Sequence, residues 1–249
     1  MPEPKPSPDK DSEFGIVALE DSSAGLYYAW MGESQKGMNA RYQSQEFVAT
    51  PPLQLAQLYL SDHEADRSLG LAAISAITQS VFRQSQYVPD KAGDSLGELD
   101  LVSGDHLGMI GYFPSLLRQL KKRGIKTTVI ERKEHLQHSE GEIRVTMDIE
   151  KLASCNKVLI TASTLLNDSL DEVLSYCGEA EKIVMVGPTA GFFPDPLFDR
   201  NISVIGGAVL TDVSTAIERL RDEQGLGDTA KKYLIKRQSY PGIDSLIRR

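Results

Sequence analysis

Five short stretches of this 249-residue chain place small, hydroxylated and acidic residues directly after apolar runs. They are Gly111-Tyr112-Phe113-Pro114, Glu131-Arg132, Thr161 through Asp168, Gly187-Pro188-Thr189-Ala190-Gly191, and Gly206-Gly207 through Asp212. Free backbone amides at helix starts, together with hydroxyls and a few carboxylates, form a suitable wall for a polar small molecule. If the apolar runs are parallel strands, all five stretches fall on one edge, where open α/β sheets bind their ligands. The ligand-binding candidates there are Gly111, Tyr112, Phe113, Glu131, Thr161, Thr164, Asn167, Gly187, Pro188, Thr189, Gly207 and Asp212.

Sharper chemistries can be tried on the same residues. Glu131 lies 20 residues after Gly111 at the end of the next apolar run, the position from which an acid grips a ribose in dinucleotide-binding sheets. The glycine fingerprint G-x-G-x-x-G is absent, and Tyr112-Phe113-Pro114 fills the stretch that would face a phosphate. Glu131 can equally pair with Arg132 or Lys133. The words Gly111-Tyr-Phe-Pro114 and Gly191-Phe-Phe-Pro194 nearly repeat. Their two aromatic pairs could hold a flat ligand or cover the sheet edge where an earlier unit docks. Pro114 opens a helix, whereas Pro194 and Pro196 predict a loop. His135 and His138, among Glu131, Glu134, Glu140 and Glu142, are metal-ligand types, but they lack an HExxH or paired-cysteine context, and a solvated loop is the plainer expectation. No G-x-S-x-G elbow is present. Asp212 also has the position of a helix cap.

These residues need elements to hold them. From 14 to 31 two β-prone runs flank Asp21-Ser-Ser-Ala-Gly25, which predicts a hairpin; 41–49 suggests a third strand. Residues 50–60 and 62–82 predict helices, the second capped by Asp62 and rich in small residues. Residues 88–99 have the proline, glycine and acid content of a linker. After it, apolar runs alternate with helical patterns, which predicts a parallel sheet covered on both faces. Lys121, Lys122 and Arg123 before Gly124 fit a helix C-terminus. Asn167 or Asp168, with Ser169 and Glu172 at capping-box spacing, predict the start of the next helix, and Gly178 its end. The expected organisation is a lead-in over 1–13, a small α+β unit over 14–87, a linker over 88–99 and an α/β unit over 100–249.

Bulk properties narrow the function. A net charge of −8 opposes nucleic-acid binding as the main task. No run is long enough to cross a bilayer, and the proline-rich start lacks the apolar segment of a signal peptide, so a cytoplasmic location is expected. The two cysteines, Cys155 and Cys177, form no C-x-x-C and are expected to be reduced. The basic tail from Lys231 is expected to face solvent or a second subunit of a homo-oligomer.

The stretches "DRSLGLAAISA", "GMIGYFPSLLRQL", "TTVIER", "VLITASTLLNDSLDEVL", "VGPTAG" and "VIGGAVLTD" resemble, in order and spacing over residues 14 to 222, the "putative heavy-metal chelation" family. The resemblance implies an enolase-N-terminal-like first domain, a Rossmann-like second domain and a site between them, which would add Arg67 and Ser75 to the candidates. It also implies a transition-metal ion or metal complex as the cofactor class. Two departures stand out. The family's A-I-N-A is Ala73-Ile74-Ser75-Ala76 here, and its T-G-T-x-x-N is Thr161 through Asn167 without the glycine. A small-molecule or metal-complex binding protein, which could be an enzyme of cofactor or metallophore metabolism, is one expectation. The alternatives are a nucleotide- or S-adenosylmethionine-binding transferase or oxidoreductase, and a non-catalytic metal carrier.

Overall fold

The computed structural model describes residues 14–28, 38, 41–42, 47–93, 96–222 and 224–248. The chain enters as the expected hairpin, β1 (Phe14–Ala18) and β2 (Ala24–Tyr28), with Ala18 opposite Ala24. Asp21 accepts from the Ser23 amide at 2.8 Å and shapes its turn. Of the third strand suggested over 41–49, residues 43–46 lie outside the described set, and 48–49 form a turn.

Helix α1 (Pro52–Ala56) runs on as a 3-10 turn over 57–60 and is followed by α2 (Glu64–Gln84). Pro52 occupies a first-turn position, where a missing amide costs nothing. The N-cap of α2 is His63 rather than Asp62, and no side chain caps it. Its small residues permit close packing. A Cβ on Gly25 would lie 2.0 Å from the Ala72 carbonyl oxygen, and one on Gly70 would lie 2.2 Å from the Tyr59 amide nitrogen. The hairpin therefore sits directly on the helix backbone.

The segment read as a linker supplies β3 (Asp90–Lys91) and buries Leu96 and Leu99 completely. Next come β4 (His106–Ile110), α3 (Pro114–Arg123), β5 (Lys126–Ile130), β6 (His138–Glu140), β7 (Ile143–Thr146) and β8 (Lys157–Thr161). They are followed by α4 (Leu170–Ser175), β9 (Lys182–Val186), α5 (Asp195–Phe198), β10 (Val204–Leu210), α6 (Val213–Arg221), β11 (Ala230–Lys236) and α7 (Ile243–Ile247). The sheet order is β3-β11-β10-β9-β8-β4-β5-β7-β6. The six strands from β10 to β7 are mutually parallel, and β11 and β6 run antiparallel to their neighbours. Numbered by chain order, the parallel strands read 3-2-1-4-5-6, the doubly wound dinucleotide-fold order. Leu117 and Leu120 of α3 cover one face, on Leu107, Met109 and Val129. Leu71 and Phe82 of α2, with Val173 of α4, join the opposite core on Val158, Ile160 and Met185. The expected mixed α/β architecture, with helices on both faces, is present.

Several local expectations are corrected. The loop predicted at Pro194 and Pro196 contains the short helix α5, because both prolines lie at its N-terminal end, where their amides are not needed. The polar stretch after Glu131 holds strands β6 and β7; the alternation Ile143-in, Arg144-out, Val145-in was the available signal. The basic tail does not lie free. Tyr233, Leu234 and Ile235 are buried in β11, and α7 buries Leu246 in the core that holds Phe82 of α2. The capping box at Ser169 does not form; the Ser169 hydroxyl donates to Asn167 Oδ1 at 2.6 Å, and α4 ends at Ser175, before Gly178. Gly124 does close α3 in the left-handed conformation, at φ 63°.

Candidate functional site

The strand order reverses between β4 and β8, and in sheets of this kind the carboxyl ends part at that point to leave a crevice. Gly111 follows β4 with φ 93°, and a Cβ on it would stand 3.3 Å from Thr161 Cγ2 at the end of β8. Glu131, following β5, reaches back across this edge. Its two oxygens accept from the backbone amides of Tyr112 (3.1 Å) and Lys133 (3.0 Å). Thr161 caps the 3-10 turn 162–165, and Thr164 donates to the Thr161 carbonyl at 2.9 Å. Gly111, Tyr112, Phe113, Glu131, Thr161 and Thr164 are therefore gathered at the crevice.

The N-terminal elements reach the same edge. Arg67 Nε donates to the Leu166 carbonyl at 2.7 Å, Tyr59 donates to that of Leu165 at 3.3 Å, and Gln79 Nε2 donates to that of Gly191 at 3.2 Å. Tyr28, at the end of β2, has its hydroxyl pKa raised by burial and by the neighbouring Glu131 carboxylate. Tyr28, Tyr59 and Gln79 were not singled out from the sequence, because nothing local distinguishes a docking tyrosine from a core one. Ser75 lies against the Gly191 turn, where a Cβ on the glycine would come 3.1 Å from Ser75 Oγ. Ser75 is 1% exposed, and its hydroxyl has no hydrogen-bond partner among the described residues.

The remaining candidates lie within β10 or on the turns that follow β8, β9 and β10. Gly187 packs beside Ala162, Pro188 is exposed and Thr189 is buried, all in the turn after β9. Gly207 is inside β10 and not at its end; a Cβ there would lie 2.4 Å from the Ala190 carbonyl, so its smallness serves packing. Asp212 caps α6, accepting from the Thr215 amide at 3.0 Å and the Thr215 hydroxyl at 2.7 Å. Asn167 is half-buried, with Oδ1 taken by Ser169. The two near-identical words also divide their labour. Phe193 meets Phe82 of α2 edge-on at 5.7 Å and Phe192 is buried, so the second pair serves docking. Tyr112 and Phe113 remain half-buried, with the Tyr112 ring against His138 at 6.3 Å.

The fold defines a Rossmann-like α/β protein in which the preceding helical segment, through Tyr59, Arg67 and Gln79, contacts loops at the carboxyl edge of the sheet. The chain belongs to the DUF364 family, described as "Putative heavy-metal chelation", whose profile matches residues 94–237. An uncharacterised protein of Methanocaldococcus jannaschii is 30% identical over 157 residues, which is 63% of this chain and 59% of that protein. Two solved structures of DUF364 proteins of unknown function share the fold. The one from Pyrococcus horikoshii has a TM-score of 0.66 at 20% identity, covering 90% of this chain and 91% of its own. The one from Desulfitobacterium hafniense has a TM-score of 0.69 at 19% identity, covering 91% and 88%.

A resident heavy metal would need converging thiolate, imidazole or carboxylate donors. Among the described residues no three His, Cys, Asp or Glu side chains stand together to hold one. Burial pushes the thiols of Cys155 and Cys177 up to about 11, which keeps them protonated at neutral pH. His138 Nδ1 lies 2.8 Å from the Leu136 carbonyl. The described donor set does not fit a bare heavy-metal ion. Among the described residues no helix is long and apolar enough to cross a membrane.

Proposed function

We infer that the protein binds a small anionic organic molecule, free or already carrying a metal ion, at the crevice between the carboxyl ends of β4 and β8. The observation that supports this is Arg67. Its half-buried guanidinium is fixed by two carbonyls, Leu166 through Nε and Ser61 through Nη1, and among the described residues no carboxylate lies within ion-pairing distance. A cation partly withdrawn from water without a counter-ion favours an anion supplied by a ligand. The hydroxyls of Thr161 and Ser163 and the unpartnered Ser75 hydroxyl supply further polar groups along the same edge. A metal would then enter as part of the ligand, since among the described residues no cluster of donors stands ready to hold one.

The strand order favours a second reading, a nucleotide- or S-adenosylmethionine-dependent transferase or oxidoreductase. Glu131 would then have to hold a diol with lone pairs left over from its two backbone contacts.

The test is the native mass of gently purified protein compared with its denatured mass, for wild type and Arg67→Gln. The expected result is an organic adduct, alone or with one metal, diminished in the variant. If purification strips the ligand, small di- and tricarboxylates should raise the unfolding midpoint of wild type and not of Arg67→Gln. A bare metal-ion adduct held equally by both proteins, or no adduct and no midpoint shift, overturns the reading.

A further inference from the structure

The opposite end of the sheet carries a second concavity. The connection from β5 to β7 contains only a 3-10 turn and the edge strand β6, so it lays no helix on the sheet face beside it. The 3-10 segment 149–154 covers the neighbouring part. Leu152 and Cys155 close over Gly108, where an added Cβ would meet them at 2.8 and 3.2 Å. Beyond that cover lies a half-open pocket of about 350 Å³, at the start of β4 and β5.

Its chemistry follows from strand register. His106 pairs with Lys126, Gly108 with Thr128, and Thr128 with Arg144, so these residues share one face of the sheet, on which Lys126 and Arg144 are exposed. Among the described residues Lys126 and Arg144 have no carboxylate within ion-pairing distance, whereas Lys151, across the mouth, is shared with Asp148 at 3.3 Å. Glu142 is the one acid lining the pocket. His106 is fixed at both nitrogens. Nδ1 lies 3.0 Å from the Ser154 carbonyl, which can only accept, so Nδ1 carries the proton. Nε2 lies 2.9 Å from the buried Thr128 hydroxyl, which donates to the neutral ring. Burial, and then Lys126, lower the pKa of this imidazole. Two lysines and an arginine against one acid in the lining give this concavity an excess of cations on a chain of net charge −8.

We propose that this pocket is a second ligand site, distinct from the carboxyl-edge crevice, and that it binds a small phosphate monoester. Arg144 supplies a fork matched to a tetrahedral oxyanion and Lys126 a mobile point charge; the Thr128 hydroxyl proton is held by neutral His106 Nε2 and becomes available to the anion when that nitrogen is protonated. Its volume lies in the range of small-molecule pockets, roughly 300–1,000 Å³, and leaves room for an organic portion beside the phosphate. An anion seated beside His106 offsets Lys126 and raises the imidazole pKa, so binding takes up protons.

The test uses the full chain at constant ionic strength, titrated with glycerol phosphate and with inorganic phosphate. Calorimetry and the histidine ring resonances are the readouts, and His106→Gln assigns the His106 signals. The expected results are saturable binding of glycerol phosphate, an upward shift of the His106 pKa, and affinity reduced about tenfold or more by Arg144→Gln and by Lys126→Gln. Both substituted residues are exposed, so an unchanged unfolding midpoint verifies that each variant is folded. Arg67→Gln leaves this binding unaltered. Inorganic phosphate binding as tightly as the ester overturns the monoester assignment in favour of free phosphate. Non-saturable binding, indifference to both substitutions, or loss on Arg67→Gln instead, overturns the site.

Discussion

Glu131 Oε2 accepts from the Tyr112 amide at 3.1 Å, tying the end of β5 to the turn that follows β4. With Oε1 on the Lys133 amide, the carboxylate pins two strand-end turns at once. An acid here signals ribose binding in the dinucleotide-binding pattern, yet both oxygens are already engaged with backbone. Glu131→Gln leaves one carbonyl oxygen to do the work of two. We expect the apo protein to lose about 1 kcal/mol, read as a lower denaturant midpoint at unchanged m-value. Unchanged apo stability together with weakened adenine-nucleotide binding would instead assign Glu131 to a ligand diol.

The seating of the hairpin on α2 gives a second expectation. A Cβ at Gly25 would stand 2.0 Å from the Ala72 carbonyl and 2.8 Å from Ser75 Cβ, both on one helix. Neither neighbour is the free end of a flexible side chain. Gly25→Ala therefore has to push β2 off the helix, at a cost of about 2–3 kcal/mol. The hairpin's other face also packs through Ala24 and Leu26 on Leu210 and Ala216, so the loss should be global. Thermal unfolding of the variant as one transition at lower temperature agrees with this. A wild-type midpoint would mean that the hairpin moves away freely.

How much of this was legible follows from where the signals are local. The parallel strands announced themselves as short apolar runs, and Gly124 and Asp212 act at α3 and α6 as helix chemistry dictates. The tail was misread because its lysines dominate its composition, while Tyr233, Leu234 and Ile235 form the buried part of an edge-region strand. The prolines of Pro194-Asp-Pro196 break a helix in its interior but are tolerated at its start, and position cannot be judged before the boundary is known. The crevice was placed from strand ends, whereas the roles within it depend on partners far along the chain. Arg67 meets Leu166 and Gln79 meets Gly191, contacts that no local pattern encodes. The cationic pocket has no local signature either. Lys126 and Arg144 look like ordinary exposed strand residues until the missing crossover helix leaves their face uncovered.

Asp212 gives the pH-dependent expectation. Its carboxyl pKa lies below the ordinary 3.8, first because it accepts from the Thr215 amide and then from the Thr215 hydroxyl. A folded-state pKa below the unfolded one means that unfolding takes up a proton in the interval between them, so stability rises with pH there. The contribution is fully present above the unfolded value and disappears as pH falls through the lower, folded value. Asp212→Ala should therefore lower the unfolding midpoint measurably at pH 6, with the difference from wild type shrinking as pH drops below about 3.8. The group is fully exposed, so salt should weaken the charge part of the effect and leave the hydrogen-bonding part. Asp212→Asn keeps a capping oxygen and loses only the charge, and its deficit should lie between those of wild type and alanine. A deficit that persists undiminished at low pH would assign the loss to packing of α6 and not to its cap. Loss of ligand binding in Asp212→Asn without loss of stability would return this residue to the binding surface.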